Sequence, residues 1–318
     1  MTAVLSVKQA SVHYHDLPAV RSVDLDVEAG QITALIGETG CGKTSLALAV
    51  TRLLPREARL NGSIVIDGID VVPLSRHDLE RVRSERVGFI AQDAMAALNP
   101  VLPVHRQIAE IYEVHRGASR SRARQLTLDA LESVQIRDPE RVARGYAHQL
   151  SGGMRQRVMI AMALALRPAV VVGDEPTTAL DVSVQADILR LMRSIAAESG
   201  TAVLWITHDM GVVAEAADSL AVMYGGRIVE TGEVNDVFSR PRHPYTVALL
   251  RTLQDLRSGE RGTPMYQVPG QPPSLGASIA GCRFHPRCPA ATAICRESDP
   301  PNERLQGGEV VACHHPEA

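Results

Sequence analysis

Gly37-Glu38-Thr39-Gly40-Cys41-Gly42-Lys43-Thr44 is the stretch that decides the fold of this 318-residue chain. It fits the phosphate-loop pattern, in which glycines let successive backbone N–H groups turn inward around phosphate oxygens. Upstream, Gln31 to Ile36 is a compact apolar run that predicts a strand. Downstream, Lys43 to Leu54 predicts a helix that stops near Pro55. The strand–loop–helix frame suits the motif, because a helix N-terminus adds positive potential where the phosphates would lie. Lys43 is then placed to hold β- and γ-phosphates and Thr44 to ligate Mg²⁺, with Ser45 next in the helix.

More than a hundred residues later, Ala169-Val170-Val171-Val172-Gly173-Asp174-Glu175 reads as an apolar strand ending in two carboxylates. Unpaired buried charge is expensive, so adjacent acids in this place point to chemistry. A magnesium ion gives Asp174 a purpose, and an attacking water gives one to Glu175.

Outward from these two motifs the pattern is consistent. Val4 to Val7 and Val23 to Val27 alternate apolar and polar, as a half-buried antiparallel sheet does. Further strands are predicted at Ser63–Ile66, Val87–Ile90 and Ala202–Ile206, and helices at Val184–Ser199 and from Met210. Strands separated by helices of ten or more residues indicate a parallel, helix-flanked sheet, hence an α/β fold. Asp93 to Leu166 is helical in pattern and reads as an insertion into that sheet. No internal repeat is present, so the chain is one module and not a tandem pair.

Leu150-Ser151-Gly152-Gly153-Met154-Arg155-Gln156-Arg157 resembles the signature motif of the ABC ATPases. Gln92 follows the second β region, Pro176 to Asp181 resembles the family's D-loop, and His208 lies in Trp205-Ile206-Thr207-His208-Asp209. Tyr14 suits the aromatic that stacks on adenine. The resemblance covers residues 1–240 and implies a P-loop core of the RecA type, an antiparallel β subdomain and an inserted helical subdomain at about 93–166. It implies ATP as substrate, Mg²⁺ at Thr44, Gln92 and Asp174, a water positioned by Glu175, and γ-phosphate sensing by His208. It also implies that Ser151, Gly152 and Gly153, with Asp181, meet the nucleotide held by an opposite ATPase subunit. The family more often has Gln where this chain has Met154, a change that removes no expected phosphate donor.

Gln92 to Pro100 resembles the Q-loop of the oligopeptide and dipeptide importers, and Arg242-His243-Pro244-Tyr245-Thr246 resembles the start of their C-terminal extension. Nickel importers share these features, which keeps the cargo open. The implied partners are a second ATPase, different from this one, two integral-membrane permeases and an extracytoplasmic binding protein. From Arg240 onward prolines leave little room for long helices or central strands, so 241–318 reads as a separate loop-rich unit. It holds Cys282, Cys288, Cys295 and Cys313. Four thiolates satisfy either a tetrahedral zinc or a cubic iron–sulfur cluster. The lack of a CxxC pair weighs against a zinc ribbon, the branch resemblance implies 4Fe–4S, and incidental thiols are the third reading. A metal staple suits a segment with little core of its own. Cys41 stands apart in the phosphate loop, where Lys43 and the helix N-terminus are expected to favour its thiolate.

Composition narrows the alternatives. A formal net charge of −3 and a pI near 6.4 argue against a nucleic-acid surface. The basic stretch Arg116 to Arg124 is short and Ser-rich, and reads as a solvated helix face. No run approaches the ~20 apolar residues of a membrane-spanning helix. The first ten residues lack a secretory signal pattern. The expected location is therefore the cytoplasmic face of a membrane, reached through partners.

Overall fold

The computed structural model describes residues 3–178, 180–258 and 267–316. Ala179 of the predicted D-loop and Pro264 of the proline-rich tail lie outside these residues. The chain forms two compact units.

The first unit contains Asp26–Ile32 and Val65–Ile206, together with the residues up to Ser6. Its centre is three parallel strands, Val87–Ile90, Val170–Asp174 and Ala202–Ile206, paired in that order with Val87 opposite Val170 and Val170 opposite Ala202. Every residue of Val170–Asp174 and Ala202–Ile206 is buried, which explains why these strands read as continuous apolar runs. The 18-residue helix Val182–Ser199 joins the last two. The helix Gly152–Leu164 lies so close to Val87–Ile90 that a Cβ at Gly88 would stand 2.6 Å from the Ala163 carbonyl oxygen.

The helical insertion begins at each step with a residue suited to the task. Asp93 accepts from the N–H groups of Met95 and Ala96 to start Ala94–Ala97. Ser119 accepts from Arg122 to start Arg120–Ser133, and Asp138 precedes Pro139 at the head of Pro139–Arg144. Between them, Val104–Arg116 ends at Gly117 in the left-handed conformation. Arg120, Arg122 and Arg124 are exposed, so the basic stretch is a solvated face. Arg116 donates to the Leu166 carbonyl.

The second unit contains Val7–Leu25, Thr33–Ile64 and the chain from Thr207 onward. Here the strand Ile32–Ile36 runs parallel to Ser219–Tyr224, with Thr33 opposite Ser219 and Ile36 opposite Val222. Ser219–Tyr224 and Arg227–Glu233 form an antiparallel hairpin with a bulge between Ile228 and Glu230. The far C-terminus extends this sheet: Val310–Val311 pairs with Arg227–Glu233, and Glu303–Arg304 pairs with Val310–Val311. The core below it gathers Ile36, Val222, Tyr224, Val229, Val237, Tyr245 and Phe284. Tail residues therefore fill part of the core beneath the phosphate-loop strand. The long strands Ala3–Tyr14, Leu17–Glu28 and Ala58–Ile66 carry the chain between the units, and the last pairs antiparallel with Ile69–Asp70.

The tail also holds a 15-residue helix, Pro244–Ser258. Proline density predicts little helix here, but Pro244 is its first residue, where a missing N–H and a fixed φ are no obstacle.

Candidate nucleotide site

In the second unit, the strand Ile32–Ile36 feeds the loop and the helix Lys43–Val50 receives it. The helix is one turn shorter than its sequence suggests, ending at Thr51, whose hydroxyl bonds back to the Ala47 carbonyl. Two glycines fix the loop's path. Gly37 (φ 155°) leaves no room for a Cβ, which would collide with the Met223 carbonyl. At Gly42 (φ 110°) a Cβ would stand 2.5 Å from the Ala19 carbonyl oxygen. Gly42 is also the N-cap of the helix and, having no side chain, makes no capping hydrogen bond to it. A helix end of this kind is a ready anion site.

Lys43 is only 5% exposed, and its Nζ donates to the carbonyls of Gly37 (2.7 Å) and Glu38 (3.2 Å). The loop thus folds around its own lysine. Thr39, Gly40 and Thr44 are exposed along the open side. The Tyr14 hydroxyl donates to Ser45 Oγ at 3.3 Å, which brings the proposed adenine-stacking ring beside the loop's helix. His208 is exposed just after buried Thr207, whose N–H reaches the Leu35 carbonyl. Asp209 then caps the helix Met210–Ala216 through Gly211 and Val212.

Glu38 behaves differently from its neighbours. Its carboxylate faces Arg287 of the tail in a two-pronged ion pair, at 2.6 and 2.9 Å. The side chain is thereby turned to the tail, and the Glu38 N–H donates to the Tyr245 hydroxyl at 2.9 Å.

Cys41 corrects an expectation. The thiol is 5% exposed, and burial pushes its pKa up, with Lys43 lowering it by less. Burial wins because the sulfur is packed under the loop; Cys41 Sγ stands 2.7 Å from where a Gly37 Cβ would be.

The first unit presents the remaining candidates. Asp174 closes its strand at 7% exposure, followed by Glu175, half-buried and in the left-handed backbone region (φ 47°). Such a conformation is strained for a residue with a Cβ. It is held by the Glu175 N–H bond to the Ile206 carbonyl and by Thr178 Oγ1 donating to Glu175 Oε2 at 3.2 Å. Gln92 is exposed in the turn before Asp93. Ser151 is the N-cap of Gly152–Leu164, its Oγ accepting from Met154. Added Cβ atoms at Gly152 and Gly153 would stand 3.0 Å from a Leu180 methyl and 2.8 Å from a Val184 methyl, so larger residues would need these side chains to shift. Gln185 donates to the Thr177 and Leu180 carbonyls, shaping the turn that leads to exposed Asp181.

In the tail, Cys282, Cys288, Cys295 and Cys313 line one cavity with His243, His285, His314 and His315. The Cys282 N–H donates to the Cys295 carbonyl, and the His315 N–H to Cys313 Sγ. Burial pushes the Cys313 thiol up to about 11 and raises Cys282 as well. Burial also pushes His243 down to about 3, and its Nδ1 accepts from the Tyr245 N–H. Among the described residues, no three His, Cys, Asp or Glu side chains converge on a point that would hold a single ion.

Residues 20–178 match the family model described as ABC transporter, and residues 229–295 match that of the oligopeptide/dipeptide transporter C-terminal region. The chain belongs to the ABC transporter ATPases, in their oligopeptide/dipeptide branch. It is 44% identical to a probable peptide ABC transporter ATP-binding protein of Sinorhizobium fredii, over 98% of this chain and 94% of that one. It is 40% identical to the oligopeptide transport ATP-binding protein OppD of Escherichia coli, over 99% and 94%. Among solved structures it resembles the dimeric, post-hydrolysis form of the ATP-binding cassette MJ0796 bound to ADP and Pi. That likeness has a TM-score of 0.64 and 26% identity, covering 72% of this chain and 98% of the other. It also resembles cbiO1 of Clostridium perfringens, with a TM-score of 0.67 and 26% identity over 81% and 98%. As a member of this family the chain is an ATPase whose hydrolysis is coupled to transport. Among the described residues no helix is long and apolar enough to cross a membrane.

Proposed function

We propose that this chain is the ATP-hydrolysing subunit of a peptide importer, acting from the cytoplasmic face of the membrane. The observation that carries the reading is the phosphate loop: forced glycines, a helix start without a side-chain cap, and Lys43 held on the loop's own carbonyls. Arriving phosphates offer Lys43 charged acceptors in place of neutral ones, which adds the attraction of opposite charges to the hydrogen bond. Backbone N–H groups of Gly37 to Thr44 hold the β- and γ-phosphates, Ser45 supports the loop, and Tyr14 stacks on the base. Thr44, Gln92 and Asp174 would hold Mg²⁺, which neutralises phosphate charge. Glu175 orients the attacking water, and His208 senses the γ-phosphate. Ser151, Gly152, Gly153 and Asp181 serve the nucleotide of the facing ATPase. That partner is a different ATPase subunit, and the pair acts on two permeases fed by an extracytoplasmic binding protein. In functional terms, residues 1–240 are the motor and 241–318 the extension.

We infer that the four tail thiols serve a 4Fe–4S cluster, with zinc as the alternative. What supports this reading is that all four thiols line one cavity and that no CxxC pair of the zinc-ribbon kind occurs. Cys282, Cys288, Cys295 and Cys313 would hold it, and it would staple the tail. Iron and acid-labile sulfide in anaerobically purified protein support this; stoichiometric zinc in a colourless sample overturns it.

The motor reading is tested by Lys43→Ala and Glu175→Gln. The first abolishes nucleotide binding. The second binds MgATP but loses about 10²–10⁴-fold in turnover, the usual cost of losing a positioned base. Unchanged affinity in the lysine variant, or near-normal turnover in the glutamine variant, removes that residue from its role.

A further inference from the structure

The phosphate loop carries one acidic side chain, and it sits where negative charge is least welcome. Glu38 is the second residue of a loop built to receive phosphates, and an unpaired carboxylate there would repel them. The fold answers with Arg287 of the tail. Its Nη1 and Nη2 donate to the two Glu38 carboxylate oxygens at 2.6 and 2.9 Å. Arg287 is itself 9% exposed and fixed from other directions. Its Nε donates to the Pro269 carbonyl (2.6 Å), Nη2 to the Val268 carbonyl (3.2 Å) and Nη1 to the Tyr224 hydroxyl (3.3 Å). The guanidinium also lies 5.7 Å from the Tyr224 ring centre and 6.0 Å from that of Phe284. The main chain of the same loop residue is held too, since the Glu38 N–H donates to the Tyr245 hydroxyl at 2.9 Å. Arg287 ends the 3-10 turn His285–Arg287, directly before Cys288, so the cysteine-bearing turn sets its position.

We propose that Arg287 is a positioning residue for nucleotide binding: by pairing with Glu38 it cancels the loop's own negative charge and fixes the loop's second residue, so that the tail sets the affinity for ATP. The inference rests on the nucleotide-site reading above. Two effects act in the same direction. Without Arg287 the Glu38 carboxylate faces the incoming phosphates uncompensated, and the loop must also be ordered at the moment of binding.

The test is equilibrium binding of a fluorescent ATP analogue to the full-length chain, with urea unfolding measured in parallel. Arg287→Gln is expected to weaken binding on the order of tenfold or more, as loss of one partner strands a charge. Arg287→Lys loses less, because an ammonium keeps the charge but not the two-pronged geometry. Adding Glu38→Gln to Arg287→Gln removes the stranded carboxylate and restores most of the affinity, a rescue that a purely structural role would not give. A folded Arg287→Gln protein that binds like the wild type overturns the inference, and so does a double variant as weak as Arg287→Gln alone. Should Arg287→Gln fail to fold, Arg287→Lys decides: weakened binding supports the inference and unchanged binding overturns it. Lys43→Ala separates the two readings. Normal binding by that variant sinks the nucleotide site itself, whereas weak binding there with normal binding by the Arg287 variants sinks only the role of Arg287.

Discussion

The phosphate loop and the cysteine-bearing tail belong to the same compact unit, and both are irregular chain, yet they keep their shapes by opposite means. Residues 37–44 are shaped mostly within and around the main chain: forced glycine angles at 37 and 42, the Lys43 side chain bonded to two loop carbonyls, and the Gly226 N–H bonded to the Cys41 carbonyl. The tail around Cys282–Cys288 is shaped by side chains. Phe284, 2% exposed, meets Tyr224, Tyr245 and His243 at ring distances of 5.1, 5.4 and 5.8 Å, and Arg287 reaches across to the loop. At Gly37 and Gly42 the loop tolerates no added atom. A region built on side chains tolerates none removed. Each rule can be broken separately.

The largest expected effect is in the tail. Phe284→Ala empties the centre of the aromatic cluster and should lower stability by about 3–5 kcal/mol, the usual range for a buried Phe truncation. Urea unfolding followed by Tyr and Trp fluorescence measures it, and a loss below about 1 kcal/mol would mean that the tail is held by something other than this packing. Gly42→Ala should be smaller in stability but sharper in function. Strain at its positive φ is of order 1–3 kcal/mol, and the loop must also shift away from the Ala19 carbonyl. Nucleotide affinity should therefore fall further than the unfolding midpoint. If both variants lose stability and affinity in the same proportion, the loop and tail are one mechanical piece and the contrast fails.

The same contrast explains what the sequence makes legible. Backbone requirements leave residue types at fixed spacing, so the loop, the carboxylates at Asp174 and Glu175, the helix start at Ser151 and the helical insertion can all be read from the order of residues alone. Gly152 and Gly153 are legible as part of a motif at fixed spacing, and a Cβ at either would press on Leu180 or Val184. Side-chain clamps leave no period. Arg287 is one arginine in a proline-rich stretch, and nothing in its neighbours shows that it meets a residue 249 positions away. Tyr245 is visible only as part of the stretch Arg242 to Thr246, and nothing there shows that its hydroxyl accepts from the Glu38 N–H. Val310–Val311 is too short for an alternation to reveal that it extends the sheet. Glu38 is visible as a loop residue, but its partner, and so its side chain's task, is not.

Cys41 offers the smallest and most delicate probe, because it is a side chain inside the backbone-built region. Proximity to Lys43 and a helix start suggests a reactive thiolate; burial opposes it and is the larger influence. At neutral pH the group is therefore a packed thiol, and a maleimide should modify it far more slowly than it modifies free glutathione. The sign of the pH dependence follows from the raised pKa: labelling should accelerate only as pH climbs above the ordinary thiol range. Peptide mass spectrometry after timed labelling would follow Cys41 separately from the tail cysteines. MgATP should change the Cys41 rate little, since the sulfur is already shielded by the loop that would hold the nucleotide. Rapid labelling at pH 7 that MgATP suppresses would show instead that the loop opens in solution without ligand, and that its glycine-determined shape is completed only when phosphate arrives.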